Sequence, residues 1–296
     1  MPPSFRPSAP VSPDVYLQIF ETRRPQLLRL AYRMLGSHAE AEDVVQEAWI
    51  RWQAADQAQI AIPAAWLNRV VSRLCLDLMR SARHRRESYI GPWLPEPLIE
   101  EEDADHRPDN LTLSLMMALE RLSPLERAAF LLHDVFGQSF DEVALALDRS
   151  PSAARQLAVR ARAHVHIDRP RYKVEREAAE GLTRAFFEAC KTGDAAVLSG
   201  LLAEDAVLHS DGGGKVYNLL NVIVGAQKLL RMFTSLSRKR GDEMEFVQFT
   251  LIDALPGYVW RMGDQIQTTA LEVEDGRITR VYTTRNPDKL TRIRLN

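Results

Sequence analysis

Residues 41–52 read AEDVVQEAWIRW, and their spacing decides how the first part of the chain folds. Apolar residues recur three and four positions apart, which predicts a helix with one buried stripe. The stretch before it, from Pro25, has the same spacing, and Gly36-Ser37 separates the two. The sequence therefore predicts two successive helices whose core positions are Leu27, Leu28, Ala31, Met34 and Leu35, then Ala41, Val44, Val45, Ala48, Trp49 and Trp52.

A second face of the later helix is formed by Asp43, Gln46, Glu47 and Ile50, spaced i, i+3, i+4 and i+7. Packing of the apolar stripe leaves this face exposed. An exposed acidic face that includes one apolar residue is a candidate docking surface.

A third helix is predicted from Ala64 to about Arg86, with Pro63 suited to its first turn. Between Arg69 and Glu87 there are six arginines and two acidic residues. Basic side chains beside aromatic ones such as Trp66 are typical of surfaces that hold unpaired nucleic acid. A merely solvated arginine face is the alternative.

The next segment changes character. Residues 92–97 include three prolines, and residues 96–109 include seven acidic residues and one arginine. This composition predicts an extended linker with Trp93 as an aromatic anchor.

A helix-turn-helix is predicted from Phe140, with a turn at Asp148-Arg149-Ser150 and a second helix from Pro151. Ser152, Arg155, Gln156, Val159 and Arg160 fall on the outer face, where Arg and Gln can address base edges. Arg160 and Arg162 can neutralise phosphates. The alternative is a helical hairpin with a solvated basic face.

Beyond residue 172 the pattern becomes α+β. Helices are predicted at 176–191 and 195–202, and strands at 246–254, 257–261, 265–273 and 277–284. The Asp275-Gly276 pair predicts a tight hairpin. The triple glycine in Asp211–Lys215 favours a turn or a close backbone approach, although His209, Asp211 and Lys215 could be imagined as catalytic or phosphate-binding groups.

Composition limits the other possibilities. The formal net charge is -2, and the two cysteines, Cys75 and Cys190, have neither disulfide nor zinc-site spacing. No apolar run approaches a membrane span, and residues 1–13 lack the hydrophobic centre of a signal peptide. We therefore expect a cytoplasmic protein without a metal site or cofactor.

Several motifs together resemble extracytoplasmic-function (ECF) RNA polymerase sigma factors. Residues 43–48, 66–67 and 77–80 resemble sigma domain 2, and residues 122–162 resemble domain 4. Residues 91–97, 211–215 and 286–290 resemble the sigma-J-like subgroup, which carries a fused SnoaL-like, nuclear-transport-factor-like domain. Arg73 and Asp148 depart from the common Asn and Gly, so base preferences cannot be transferred.

The resemblance implies a multidomain chain. Two all-α sigma domains, a helical bundle and a helix-turn-helix, are followed by a C-terminal α+β cone-like SnoaL-type domain. The expected boundaries are 14–88 for domain 2, 89–109 for the linker, 110–172 for domain 4 and 173–296 for the regulatory domain. The acidic linker would run through polymerase channels meant for nucleic acid, or is simply a solvated spacer.

The resemblance also implies partners. Asp43, Gln46, Glu47 and Ile50 would bind the β′ clamp helices of core RNA polymerase. The minus-ten element of promoter DNA would meet Trp66, Arg69, Arg73, Arg80, Arg83 and Arg85, and the minus-thirty-five element Ser152, Arg155, Gln156, Arg160 and Arg162.

A regulatory interface inside the chain is implied as well. Its expected residues are Trp93, Leu94 and Pro95 in the linker, with Asp211, Gly212, Gly213, Gly214, Lys215, Asn286, Pro287, Asp288, Lys289 and Leu290 in the C-terminal domain. The expected function is promoter-specific transcription initiation by a non-enzymatic protein, modulated by that domain. A polymerase-independent DNA-binding regulator and a small-molecule enzyme or sensor are the alternatives, and the sign of regulation, the promoter and a possible ligand of the C-terminal pocket stay open.

Overall fold

The structure is a computed structural model that describes residues 13–87, 89–99, 112–165 and 176–293, without the side chains of residues 13, 81–87 and 176. The described residues form two compact units. One contains the chain as far as Ala82 together with Leu122–His164, and the other contains Arg83–Arg121 and the chain from Val165. The boundaries expected for the four segments stay a prediction.

The first unit is helical. Its elements are α1 (Pro13–Leu35), α2 (His38–Ala54), α3 (Pro63–Glu87, whose end passes Ala82), α5 (Pro124–Phe130), α6 (Phe140–Leu147) and α7 (Pro151–His164). A π-helical turn, Leu131–Val135, follows α5. The predicted apolar stripe of α2 is buried at Ala41, Val44, Val45, Ala48 and Trp52. Trp52 also satisfies its indole N–H, which donates to the Tyr16 carbonyl at 3.1 Å.

Local capping explains where these short helices begin and end. Ser123 and Ser139 each form a capping box, with Glu126 and Glu142 respectively, and so fix the starts of α5 and α6. Asp148 ends α6 in the left-handed conformation, with φ 56°. The Ser150 hydroxyl accepts from the Ala153 N–H at 3.2 Å. The predicted helix-turn-helix is therefore present, and Ser150 caps its second helix.

The second unit combines helices with one sheet. Its helices are α4 (Leu113–Leu119), α8 (Arg176–Thr192), α9 (Ala195–Leu201) and α10 (Ala226–Arg240). Its strands are β1 (Leu202–Asp211), β2 (Ile223–Val224), β3 (Met244–Ile252), β4 (Leu255–Met262), β5 (Gln265–Glu274) and β6 (Arg277–Thr284). The strand order is β2-β1-β6-β5-β4-β3, and β1 and β6 are parallel while the other neighbours are antiparallel. The α+β prediction is confirmed.

Each face of this sheet has its own apolar cluster. One cluster includes Phe186, Leu208, Phe233 and Val281. Side chains alternate along a strand, so neighbouring positions face the opposite side. There, Tyr282 packs in a second cluster with Leu94, Leu113, Ile252, Leu255 and Ala270. The linker therefore packs against the sheet, and the Asp253 N–H donates to the Leu98 carbonyl at 2.9 Å.

Among the helices and strands named above, β1, β2 and α10 were not predicted from the sequence. The four predicted strands are present with ends shifted by a few residues, and Asp275 and Gly276 have φ of 49° and 75°, as the predicted hairpin requires. Cys75 and Cys190 are free and buried. None of the described helices is long and apolar enough to cross a membrane.

Candidate functional site

The predicted docking face lies on the outside of α2. Asp43, Gln46 and Ile50 are exposed, and the large apolar residue Ile50 is 52% exposed. Glu47 is partly exposed and accepts from Arg51 Nε at 2.8 Å. The buried stripe on the other side of α2 fixes this orientation, so the four residues form one accessible surface.

The DNA-binding residues predicted in α3 differ in burial and in their partners. Trp66 is half-buried and packs against Trp52, with ring centroids 5.4 Å apart. Arg73 lies 3.6 Å from Asp148, and Arg80 lies 3.3 Å from Asp77. These pairs are exposed, so solvent weakens them and a phosphate could replace the carboxylate. The side chains of Arg83 and Arg85 lie outside the described residues.

The outer face of α7 is the surface expected of a recognition helix. Ser152, Arg155, Gln156, Val159 and Arg160 are exposed and line one shallow groove. Arg160 pairs with Glu126 at 2.9 Å, and Arg162 pairs with Asp134 at 2.6 Å. The guanidinium of Arg155 lies 5.1 Å from the centre of the Phe140 ring. Sequence reasoning missed these partners, which hold the long side chains in place.

Arg127 is a second feature that sequence reasoning missed. It is 1% exposed, and its Nε and Nη2 donate to the Arg33 carbonyl at 3.2 and 2.9 Å. Burial lowers the pKa of Arg127 to about 9. This guanidinium ties α5 to α1 inside the helical unit.

Asp211 is the centre of a buried polar cluster in the second unit. The side chain is 0% exposed. Its Oδ1 accepts from the Tyr89 hydroxyl at 2.6 Å and the Gly213 N–H at 3.0 Å. Its Oδ2 accepts from the Leu94 N–H at 2.8 Å and Lys289 Nζ at 2.7 Å. One carboxylate thus joins the linker, the glycine turn and the C-terminal segment.

Lys289 and Asn286 complete this cluster, which we call the linker site: Tyr89, Trp93, Leu94, Asp211, Gly213, Asn286 and Lys289. Lys289 also donates to the Leu94 carbonyl and lies 4.4 Å from the centre of the Trp93 ring. The Asn286 side-chain amide donates to the Tyr89 hydroxyl at 2.9 Å. Burial and the hydrogen bond to Asp211 raise the pKa of Tyr89, so it acts here as a neutral donor.

The glycines of this site are needed for space. A Cβ on Gly213 would lie 2.3 Å from Asn286 Nδ2, and its φ is +60°. A Cβ on Gly214 would lie 2.9 Å from the Ile90 side chain. A Cβ on Gly212 would lie 2.5 Å from Asn218. The turn predicted for the triple glycine is present, with positive φ at Gly213 and Gly214, whereas the atoms that approach closely belong to side chains and not to another backbone.

The remaining predicted interface residues lie around the linker site. Lys215 and Asp288 form an exposed ion pair. Pro95 and Leu290 are buried, and Pro287 is exposed. The predicted residues of the linker and the C-terminal segment are thus brought together, although they are distant in sequence.

His209 does not join Asp211 and Lys215 in a catalytic arrangement. Its ring stacks on Tyr282 at 5.4 Å. Burial, with Arg280 and Arg121 nearby, lowers the pKa of His209 to about 4. The described residues contain no group of three or more His, Cys, Asp or Glu side chains placed to hold a metal ion.

Comparison with known proteins agrees with this arrangement. The family model for Sigma-70 region 2 matches residues 19–85, and that for Sigma-70 region 4 matches residues 112–165. The chain is 38% identical to the ECF RNA polymerase sigma factor SigJ of Mycobacterium tuberculosis, over 92% of each chain. It is 32% identical to the probable ECF sigma factor SigI of the same species, over 93% of this chain and 94% of that one.

A solved structure extends the likeness to the fold. The crystal structure of Mycobacterium tuberculosis SigJ is similar with a TM-score of 0.76 and 34% identity, covering 95% of this chain and all of that one. The sigma regions and the C-terminal sheet are therefore both shared with a relative of known structure. From the identity and the coverage, we conclude that this chain belongs to the ECF RNA polymerase sigma factors.

Proposed function

We propose that this sigma factor, which initiates transcription at promoters, is controlled by the linker site of its C-terminal domain. The observation that carries the proposal is the convergence of four donors from three segments on buried Asp211. A linker held by so many bonds to the C-terminal domain is not free to take another path. Control then works through release or retention of residues 89–99.

Binding to core RNA polymerase is assigned to the α2 face. Sigma factors bind core polymerase and promoter DNA, and we propose that Asp43, Gln46, Glu47 and Ile50 meet the β′ clamp helices. Exposed acidic groups around one apolar side chain support this, because charge complementarity guides docking and the apolar contact adds affinity. A few residues usually supply most of the affinity of an interface, and the exposed Ile50 is the residue of this face that can bury apolar surface.

Promoter contacts are assigned to two helices. We propose that Trp66, Arg69, Arg73, Arg80, Arg83 and Arg85 of α3 hold the minus-ten element. The exposed face of α7 would read the minus-thirty-five element through Ser152, Arg155, Gln156, Arg160 and Arg162. Arg and Gln in the N-terminal part of a recognition helix have the hydrogen-bonding groups that base edges require.

The other assignments follow the same reasoning. We propose domains at 14–88, 110–172 and 173–296 with a linker at 89–109, and a cytoplasmic location. We also propose that the C-terminal domain is regulatory and not catalytic. The low pKa of His209 supports this, because a group neutral at pH 7 and stacked on Tyr282 is poorly placed as a general acid.

The docking assignment is tested by binding of the full-length protein to core polymerase. The double variant Q46K/E47K reverses the charge of the α2 face without touching its buried stripe. The matched control is E204K/D205K, an adjacent exposed pair in β1. We expect Q46K/E47K to lose co-elution with polymerase and the control to retain it; co-elution of both variants would contradict the assignment.

A further inference from the structure

A cavity in the second unit is not used by the linker site. Its volume is about 300 Å³, at the lower end of the range for small-molecule pockets. Most of its wall is apolar and includes Phe186, Leu208, Phe233, Met244, Met262 and Val281. These side chains lie on the face of the sheet opposite Asp211. The cavity therefore suits a small molecule with an apolar body.

Two polar side chains in the wall have no adequate partner among the described residues. Gln267 is 1% exposed, and neither its Nε2 nor its Oε1 makes a hydrogen bond there. Arg285 Nε is also buried without a partner, and its Nη2 reaches only the Met262 sulfur, at 3.9 Å. Buried polar groups are normally paired. These two groups are therefore available to a ligand.

The strand register places these two groups together. Thr268 pairs with Thr284, the last residue of β6, and Gln267 and Arg285 are the next residues beyond this pair on the two segments. Both line the cavity. On its other side Gln267 pairs with Trp260 of β4. The neighbouring polar groups satisfy one another: Trp260 Nε1 donates to Thr269 at 3.0 Å, and Thr269 lies 3.2 Å from Thr283. Among the described polar side chains of this part of the wall, Gln267 and Arg285 keep buried atoms without a hydrogen-bond partner.

The charge at this part of the wall is positive. Arg240 also lines the cavity but is already paired with Glu243 at 3.0 Å. No carboxylate pairs with Arg285 among the described residues, and burial and the nearby Arg240 lower its pKa. An anion beside Arg285 would supply the missing charge. Binding of inorganic phosphate is disfavoured, because phosphate would lose its hydration against the apolar wall and has no apolar part that could gain from burial.

We propose that this cavity binds a small aromatic carboxylate, with the carboxylate on Arg285 and Gln267 and the ring among the apolar side chains. The amide N–H of Gln267 and the guanidinium of Arg285 both donate to the carboxylate. The Gln267 oxygen accepts from a hydroxyl or N–H on the ring. The proposal concerns binding alone and does not depend on the regulatory role of the linker site.

The test compares acids with their own amides in the full-length protein. The probes are salicylate, anthranilate, indole-3-acetate and 3-hydroxy-2-naphthoate, each of which carries a hydroxyl or N–H on its ring. Each is paired with its primary amide and measured by titration calorimetry. We expect at least one acid to bind roughly tenfold more tightly than its amide, because only the acid forms charge-assisted hydrogen bonds. No binding by any acid at millimolar concentration, or equal binding of acid and amide, would overturn the proposal.

The variant R285Q tests where the acid binds. R285Q should abolish the preference for the acid, whereas R231Q, at an exposed arginine of α10 outside the cavity wall, should keep it. An unchanged preference in R285Q would also overturn the proposal. The acid-to-amide comparison in the unaltered protein decides the question even if R285Q folds poorly. Because no transcription is measured, a negative result leaves the proposed control of initiation unaffected.

Discussion

Replacement of Asp211 by Asn is the sharpest perturbation of the linker site. Asn has nearly the same size, so the change removes the charge and substitutes an amide that donates where an acceptor is needed. The four donors around Asp211 come from Tyr89, Leu94, Gly213 and Lys289. Asn can accept with one oxygen only, and its NH₂ group then faces donors.

The expected size of the effect follows from burial. The side chains of Lys289 and Asp211 are 10% and 0% exposed, so the variant leaves a buried ammonium without its carboxylate. Breaking a buried pair by removing one partner costs about 3–5 kcal/mol. The exposed Lys215–Asp288 pair, with side chains 52% and 61% exposed, is the control, because such pairs contribute about 0–1 kcal/mol.

Hydrogen exchange of the Leu94 amide measures this effect at the site. Its N–H donates to Asp211 Oδ2 at 2.8 Å and exchanges only when the linker leaves the sheet. We expect D211N to reduce its protection by roughly two to three orders of magnitude, and D288N by at most about fivefold. Equal protection in D211N and the unaltered protein, or equal losses in both variants, would refute the reasoning.

Three further predictions concern other residues. The pKa of His209 is lowered to about 4, below its ordinary value of 6.5, so between these pH values the unfolded chain binds more protons than the folded protein. The stability of the second unit should therefore fall as the pH drops from about 6.5 to 4. In urea titrations, H209Q should flatten this pH dependence. G213A should destabilise the unit by more than G276A, since both positions have positive φ but only Gly213 lacks space for a Cβ; equal midpoints in urea would refute this. Q156A should cost about 1–3 kcal/mol at one promoter position and little elsewhere, as measured by initiation from promoter variants; a uniform loss at all positions would assign Gln156 to the backbone instead.

Much of the helical unit could be predicted because its signals are local. The stripe of α2, the cap at Ser150 and the turn at Asp148 each depend on residues within a few positions of one another. The same holds for the hairpin at Asp275-Gly276. The buried role of Arg127 could not be predicted, since its partner is the Arg33 carbonyl, far away in the sequence.

The C-terminal domain was harder to predict for a similar reason. β1 pairs in parallel with β6, and α10 packs over the sheet, so both depend on contacts that the sequence pattern does not display. The family resemblance of three motifs led us to expect an interface between the linker and the C-terminal domain. It did not predict the hydrogen bonds that form this interface. That Asp211 is the common acceptor follows only from the fold, which brings residues 89–94 and 286–289 to the end of β1.

The central claim is that this sigma factor initiates transcription and that the linker site controls it. The most direct test is run-off transcription by core polymerase with the full-length protein, D211N and D288N, on DNA from upstream of its own gene. We predict a defined start site, an initiation rate that D211N changes, and a rate for D288N equal to that of the unaltered protein. Initiation by none of the three while the protein still binds the duplex, or equal rates for all three, would contradict the account.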